Sequence, residues 1–328
     1  MATTALIRED DRASDTLHIQ FREDVLTGLS QSRKAIPARW FYDHRGSELF
    51  EAITVLPEYY PTRTEVGILS ERCAEIASTV GPGRVVVEFG AGSATKTPLL
   101  LDCIAPSGYV PIDISGDFLR ESCAPLAARY PGLPIHPVEA DFSEPAQLPA
   151  ALSSQPRLGF FPGSTIGNME PAAAVDLLRT MRATLGSGSQ LLIGMDRIKD
   201  ETVLAAAYDD AQGVTAEFNL NLAHRINREL GGTIPVEALL HRAVWNDARA
   251  RIEMHLEARR DIAFEVAGRS FSLSRGETIH TENSHKYEGR SAATLLLAGG
   301  WEPSHTWMDA QGRFMVILAQ AIGNEQTA

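Results

Sequence analysis

Val85-Val-Val-Glu-Phe-Gly90-Ala-Gly92-Ser-Ala-Thr-Lys96, followed by Tyr109-Val-Pro-Ile-Asp113, decides how this chain folds. An apolar strand runs into a tight glycine turn, a helix follows, and a second apolar strand ends in a carboxylate 23 residues after Gly90. The glycines let backbone approach a ligand without a Cβ in the way, and Asp113 can accept from both hydroxyls of a ribose. Dinucleotides and S-adenosylmethionine both use this layout. A dinucleotide fingerprint requires a third glycine, packed under a pyrophosphate, where this chain has Thr95. Glu88 at the end of the first strand is awkward beside a diphosphate and useful near a sulfonium and an amino group. Glu88, Gly90, Gly92 and Asp113 thus point to S-adenosylmethionine. Ile135-His-Pro-Val-Glu-Ala140 reads as a third strand ending in Asp141-Phe142, an acid and a ring suited to an adenine amino group and face.

Working outward, residues 64–198 alternate apolar runs with helical periodicity. Strands are predicted at 84–89, 109–114, 135–139, 158–161 and 190–195, the pattern of a doubly wound parallel α/β sheet. The loop Pro162-Gly-Ser-Thr-Ile-Gly-Asn168 follows the fourth strand. It overlooks the same crevice at the carboxyl ends of the strands, which places Asn168 near a substrate. From Lys199 the alternation stops. Residues 200–230 read as helical and Ile252-Glu-Met254-His-Leu-Glu as an alternating strand; a hairpin is predicted around Ala267-Gly268. A helix near 290–298 and a hairpin through Asp309-Ala-Gln-Gly312 close the chain, with one antiparallel strand expected at the sheet edge. The domain reading is an N-terminal segment, 1–63, joined with an insertion, 199–285, as a substrate-binding α+β domain. Residues 64–198 and 286–328 form the cofactor-binding domain.

With 44% hydrophobic and 22% charged residues in 328, the composition is that of a globular protein large enough for a substantial core. A net charge of −12 argues against nucleic acid or an anionic membrane as partner, since both demand a basic face. A small-molecule substrate is the expectation. No apolar run of about 20 residues and no signal-peptide core occurs, from which a cytoplasmic location is expected. Cys73, Cys103 and Cys123, odd in number and without C-x-x-C spacing, read as reduced thiols. The first fifteen residues are polar and expected to be disordered. Residues 21–60 are dense in aromatics, among which Tyr42 and Tyr59 are candidates to line a pocket. His280, Glu282 and His285 lie close in sequence, but nothing supports a metal centre and none is expected.

Taken with Phe41-Tyr-Asp43, Leu56-Pro-Glu-Tyr-Tyr-Pro-Thr-Arg63, Gly163-Ser-Thr-Ile-Gly-Asn168, Lys199-Asp-Glu, Tyr208-Asp-Asp210, Arg251-Ile-Glu-Met254 and Thr281-Glu-Asn-Ser-His-Lys286, the cofactor strands give a further indication. Over roughly residues 35–321 the chain resembles the histidine Nα-methyltransferases of ergothioneine biosynthesis. The resemblance implies a Rossmann-type class I methyltransferase sheet with an inserted substrate-binding domain. It implies that Tyr59, Gly90, Lys96, Asp113, Asp141 and Phe142 contact the cofactor. Asn168 and Tyr208 would hold the substrate carboxylate, and Glu282 and Ser284 the imidazole. Tyr42 and Met254 would complete the pocket wall, with Tyr59 at the junction of substrate and cofactor. Tyr42, or a water it orients, would accept the proton. The implied activity is trimethylation of the α-amino nitrogen of L-histidine to hercynine. The substrates are then L-histidine and its mono- and dimethyl forms, and the acting species is expected to be a monomer. Asn283 and His285 flank the imidazole contacts with further polar groups. Competing readings are the same chemistry on another amino acid or an indole amine, and a nicotinamide-dependent oxidoreductase. Thr95 and the lack of a hydride-relay acid disfavour the latter. A catalytically idle cofactor sensor is a third.

Overall fold

The apolar runs around Gly90 become the centre of a seven-stranded sheet in the computed structural model, which describes residues 3–92, 96–114, 116–152 and 155–323. For residues 3–16, 117 and 118 only the backbone is described. The helices are α1 (Thr3–Ser30), α2 (His44–Thr54), α3 (Tyr60–Glu71), α4 (Cys73–Val80), α5 (Thr97–Ile104), α6 (Gly116–Arg129), α7 (Pro171–Leu185), α8 (Glu201–Tyr208), α9 (Val214–Leu230) and α10 (Gly289–Ala298). The first six strands are β1 (Val85–Phe89), β2 (Gly108–Asp113), β3 (Val138–Glu139), β4 (Arg157–Phe161), β5 (Gln190–Asp196) and β6 (Leu239–Asn246). They are followed by β7 (Arg251–Ala258), β8 (Ile262–Val266), β9 (Arg269–Leu273), β10 (Thr278–His285), β11 (Trp301–Met308) and β12 (Phe314–Ala321).

The chain divides into two units. The larger comprises Glu51–Ala207, Trp245–Ile252 and Asn283–Ala328, and the smaller Met1–Phe50, Tyr208–Val244 and Glu253–Glu282. The units change over after residues 50, 207, 244, 252 and 282, beside the borders at 63, 198 and 285 expected from the sequence. Helix α3 packs on β12, α4 and α5 and so lies with the sheet in the larger unit.

In the larger unit the sheet order is β11-β12-β5-β4-β1-β2-β3. Strands β1 to β5 pair in parallel, and β12 runs antiparallel to both β5 and β11. The one antiparallel strand is therefore second from the edge rather than at it. The α10 crossover carries β11 past that position, and the tight hairpin turn then inserts β12 between β11 and β5. Val85, Val87 and Phe89 join one core layer with α7 and α10, while Val86 joins the other with α3, α4 and α5. This strict alternation buries both faces of the sheet. The third strand is shorter than predicted, with only an isolated bridge from Tyr109 to Ile135 before Val138. Pro137, between them, has no N–H to donate to a ladder.

Two further expectations are corrected. Cys73 and Cys103 are joined in a disulfide, leaving Cys123 as the free, buried cysteine. The two lie 30 residues apart, but α4 and α5 pack together and bring their Cα atoms to 5.5 Å, which spacing in sequence does not reveal. Residues 3–15, expected to be disordered, are the opening turns of α1, whose later turns bury Phe21, Val25 and Leu29. Once those turns are anchored, each added residue extends the helix by one hydrogen bond without a new nucleus.

In the smaller unit, strands from β6, β7 and β10 form a sheet of order β10-β7-β6, and β8 and β9 form the predicted hairpin. Helix α9 packs against β8 and the turn Ala38–Phe41. No helix among the described residues is long and apolar enough to cross a membrane.

Candidate active site

At the carboxyl end of β1 the backbone turns through Gly90 (φ 71°) and Gly92 (φ 50°), a region where a side chain is strained. The turn lies along the end of β2, with Gly90 and Ala91 N–H donating to the Ile112 carbonyl at 2.8 and 3.2 Å. Gly92 N–H donates to Asp113 Oδ2 at 2.9 Å. The Phe142 ring stands 3.2 Å from where a Gly90 Cβ would be, so ring and bare backbone face each other. Asp141 accepts from Ser143 N–H at 2.9 Å, and the Phe142 and Phe161 rings meet edge to face at 5.8 Å. Gly90, Gly92, Asp113, Asp141 and Phe142 are thereby gathered at three successive strand ends. A half-buried carboxylate for a diol, an aromatic face and an uncovered glycine turn fit an adenosine. Thr95 lies outside the described residues.

Glu88 is placed beneath this cradle. It is buried and accepts from Thr97 Oγ1 and Tyr109 Oη, both at 2.6 Å. Burial lifts its carboxyl to about 7, although both hydroxyls and Lys96 pull the other way. Lys96 Nζ lies 2.5 Å from Glu65 Oε2, which also accepts from Gly163 N–H at 2.9 Å. Glu65 Oε1 is 1.9 Å from the place a Gly194 Cβ would occupy. One buried carboxylate thus ties the start of α5 and the loop after β4 to the surface of β5. Glu65 escaped the sequence reading, yet a signal existed: it shares an i, i+3, i+4 stripe with Ile68 and Leu69 on the apolar face of α3.

The loop after β4 carries Gly163 (φ 80°) and Ser164 (φ 57°) into the turn Thr165–Asn168. A Gly167 Cβ would stand 2.8 Å from the His285 carbonyl oxygen, so this loop seats directly on the end of β10 and brings Asn168 beside the Ser284 segment. Ser284 is buried, and its Oγ accepts from Lys286 Nζ at 2.7 Å. Lys286 Nζ is 2.9 Å from Asp196, which also accepts from Tyr60 Oη at 2.5 Å and Lys199 Nζ at 2.6 Å. Burial would raise the Asp196 carboxyl, but Lys286 and Lys199 outweigh it and hold it below the usual range. Burial draws Lys199 down to about 8 against the pull of Asp196. Tyr59 is buried immediately before α3. His285 is buried with Nε2 3.5 Å from Arg251 Nη1, and Arg251 pairs with Glu170. Strand alternation turns Asn283 to the face opposite Glu282 and Ser284, where its Oδ1 is buried without a hydrogen-bond partner among the described residues.

In the smaller unit the Tyr42 ring meets Phe50 at 5.7 Å and Phe218 at 5.8 Å. Its neighbour Asp43 fixes the segment, accepting from Gly46 N–H at 2.7 Å, Asn221 Nδ2 at 2.8 Å and Arg228 Nη2 at 2.5 Å. Tyr208 is positioned through its carbonyl, which accepts from His241 Nε2 at 2.8 Å. Met254 is buried, and its carbonyl lies 3.0 Å from Thr281 Oγ1. Glu282 is buried at the end of this unit's part of β10, and its carbonyl accepts from His280 Nε2 at 2.9 Å. Glu253, His255 and His280 bring candidate ligand atoms within 4.8 Å of one another. The two imidazole rings lie 5.0 Å apart, tilted by 33°.

The strand order, the glycine turn and the acids at successive strand ends define a class I S-adenosylmethionine-dependent methyltransferase. The chain belongs to the histidine-specific, SAM-dependent methyltransferase family, whose model matches residues 21–321. It is 41% identical over 313 residues to the histidine N-alpha-methyltransferase of Mycolicibacterium smegmatis, covering 94% of this chain and 97% of that one. With the histidine N-alpha-methyltransferase of Mycobacterium tuberculosis the identity is 39% over 311 residues, 93% of this chain and 96% of that one. The ergothioneine biosynthesis protein 1 of Neurospora crassa is 28% identical over 88% of this chain and 33% of its own length.

Proposed function

We propose that this enzyme transfers methyl groups from S-adenosylmethionine to the α-amino nitrogen of L-histidine, three times, giving hercynine as a step of ergothioneine biosynthesis. The observation that carries the reading is the match to a histidine-specific methyltransferase family over residues 21–321, supported by relatives of that activity along nearly the whole chain. When bound, S-adenosylmethionine supplies a methyl group already activated by a sulfonium. The protein's task is alignment rather than activation. Gly90, Gly92, Lys96, Asp113, Asp141, Phe142 and Tyr59 are the proposed cofactor residues, with Glu88 beneath them.

Asn168 and Tyr208 are the proposed donors to the substrate carboxylate, an amide and a phenol for an anion. Glu282 accepts the imidazole N–H and Ser284 serves the other ring nitrogen. Tyr42 and Met254 bound the pocket. The attacking amine must be neutral, and with a free α-amino pKa of about 8 only a minority is neutral at pH 7. A desolvating pocket raises that fraction, and Tyr42 or a water it orients receives the proton lost in each transfer. We place this activity in the cytoplasm, with a single chain as the acting unit.

The test is incubation with labelled S-adenosylmethionine and each of the twenty amino acids, followed by mass analysis. Histidine gains three methyl groups, and its mono- and dimethyl forms are themselves consumed. Labelling of another amino acid in preference to histidine, or a time course that stops at one methyl, overturns the reading.

A further inference from the structure

Cys73 and Cys103 stand on either side of the cofactor turn in the chain, all within the larger unit. Cys73 opens α4, Cys103 lies in the last turn of α5, and β1, Gly90, Gly92, Lys96 and Thr97 come between them. The bridge therefore closes a covalent loop, its ends 30 residues apart in sequence, around the turn that fits an adenosine. The helices it joins have eight residues each, and helices that short are held by what they pack on. Ile76 and Val80 of α4 share a core layer with Leu100, Leu101 and Ile104 of α5, an apolar contact that does not depend on the sulfurs. What the bond adds is a constraint on α5. The start of that helix belongs to the site, where Lys96 pairs with Glu65 and Thr97 Oγ1 donates to Glu88. Its far end is strained: Ala105, two residues beyond Cys103, is held in the left-handed region at φ 45°. Such a conformation persists in an alanine only while surrounding constraints maintain it, and the bond from Cys103 to α4 is one of them.

We propose that Cys73–Cys103 is a thiol–disulfide exchange site that sets cofactor affinity: the bridged form fixes α5 for S-adenosylmethionine, and opening by a low-molecular-weight thiol keeps the fold but loosens the cofactor. Both cysteines are half-buried and so within reach of a small thiol. Cys123 is buried, and burial pushes its thiol up, which keeps it protonated and outside the exchange. In the cytoplasm, where we place the activity, small thiols keep cysteines reduced, so a pair set for bonding there cycles rather than persists. In the opening step the thiolate of one small thiol attacks a bridge sulfur, the S–S bond breaks, and one cysteine leaves as thiolate. A second small thiolate attacks the mixed disulfide and frees the other cysteine. Two electrons enter the protein, each cysteine takes up a proton, and the small thiols depart as one disulfide. The reverse sequence, with that disulfide as oxidant, closes the bridge.

The experiment is calorimetric titration of S-adenosylmethionine into the native chain equilibrated in oxidised or in reduced glutathione, with free thiols counted by mass. The bridged chain has one free thiol, Cys123, and the opened chain has three. The opened chain is expected to keep its circular dichroism and to bind the cofactor about fivefold more weakly. The double variant Cys73→Ser, Cys103→Ser is expected to match it and to ignore glutathione. Because coupling is reciprocal, saturating S-adenosylmethionine should shift the glutathione equilibrium toward the bridge by the same factor. Equal affinity in the two forms, loss of the fold on opening, or a bridge that excess reduced glutathione never opens makes the pair a static staple and overturns the proposal. Three free thiols or glutathione adducts in excess oxidised glutathione overturn it too, since the bridge then does not form. If the double variant does not fold, the native chain at the two glutathione ratios decides alone. Both measurements are made on the isolated chain without histidine, so their failure leaves the proposed reaction and its location standing.

Discussion

Asn219 Nδ2 lies 2.8 Å from His241 Nδ1, and the pair orders much of the smaller unit. Because a carbonyl only accepts, His241 Nε2 must donate to the Tyr208 carbonyl, which leaves Nδ1 as the acceptor for Asn219. The Asn219 amide also donates to the His255 carbonyl at 3.0 Å, and its Oδ1 lies 2.8 Å from Thr281 Oγ1. One fully buried amide on α9 thus reaches β6, β7 and β10, and through His241 the end of α8. Burial depresses the His241 pKa and keeps its ring neutral, as this arrangement requires.

Asn219→Ala strands the His241 Nδ1 lone pair in a dry interior and leaves the Thr281 hydroxyl to the Met254 carbonyl at 3.0 Å. A loss of about 2–3 kcal/mol is expected, together with a several-fold rise in KM for histidine as Tyr208 loosens. Urea unfolding and steady-state kinetics check the two parts separately. A stability loss with unchanged KM would separate the amide from substrate binding.

Glu88 makes stability fall as pH rises. Its carboxyl stands at about 7 in the folded chain against an ordinary 4.5, so the folded state holds the proton more tightly than the unfolded state. The stabilisation is complete below about 4.5 and is lost as pH climbs through about 7. Glu88→Gln removes the titration and keeps the shape. Relative to the native chain, the variant should gain on the order of 3 kcal/mol between pH 4.5 and pH 8. Chemical denaturation across that range would show parallel curves if Glu88 titrated normally.

Gly194→Ala acts on the cofactor at one remove. The added methyl must displace the Glu65 carboxylate, which stands 1.9 Å from it and holds both Lys96 and Gly163. S-adenosylmethionine affinity should drop about tenfold, with a stability loss of about 1–3 kcal/mol from overpacking. Calorimetric titration with the cofactor is the measurement, and full affinity in a folded variant would exclude Glu65 as an organiser of the loops.

Asp113→Ala removes the proposed acceptor of two ribose hydroxyls, each charge-assisted bond contributing about 1.5–3 kcal/mol. Cofactor binding should weaken at least about tenfold while the unfolding midpoint stays close to the native value. Equal affinity in a calorimetric titration would break the assignment of the cofactor cradle.

Glu282→Ala removes the proposed acceptor for the imidazole N–H, about 2 kcal/mol or roughly thirtyfold for histidine. An apolar ring loses nothing. The ratio of kcat/KM for histidine over phenylalanine should narrow accordingly, and more than in Ser284→Ala. A constant ratio would mean that the imidazole is read by other residues.

The sheet was legible because its strands are buried on both faces and therefore continuous in apolar residues, as in Val85-Val-Val and Leu191-Leu-Ile. Turn glycines, strand-end acids and the closing hairpin were legible for a similar reason: Gly90, Asp113 and Gly312 act through local backbone conformation or position at a strand end. The third strand was overextended because Pro137 removes a donor that periodicity does not register. The antiparallel strand was placed one position too far out, since strand order depends on which edge the α10 crossover reaches. The Cys73–Cys103 bridge was missed because it depends on α4 lying against α5.

By itself the sequence determined the order of the elements, the positions of Gly90, Asp113 and Asp141 at strand ends and, through its resemblance, the family. These follow from periodicity and from short-range backbone demands, which are written in consecutive residues. Only the tertiary structure decided the charges beneath the site: Glu65 with Lys96, and Asp196 with Tyr60, Lys199 and Lys286. It also decided that Asn219 reaches His241 and that Ser284 accepts from a lysine. A buried polar group is stable only when its partners converge on it, and those partners come from segments between 2 and 136 residues apart in the chain.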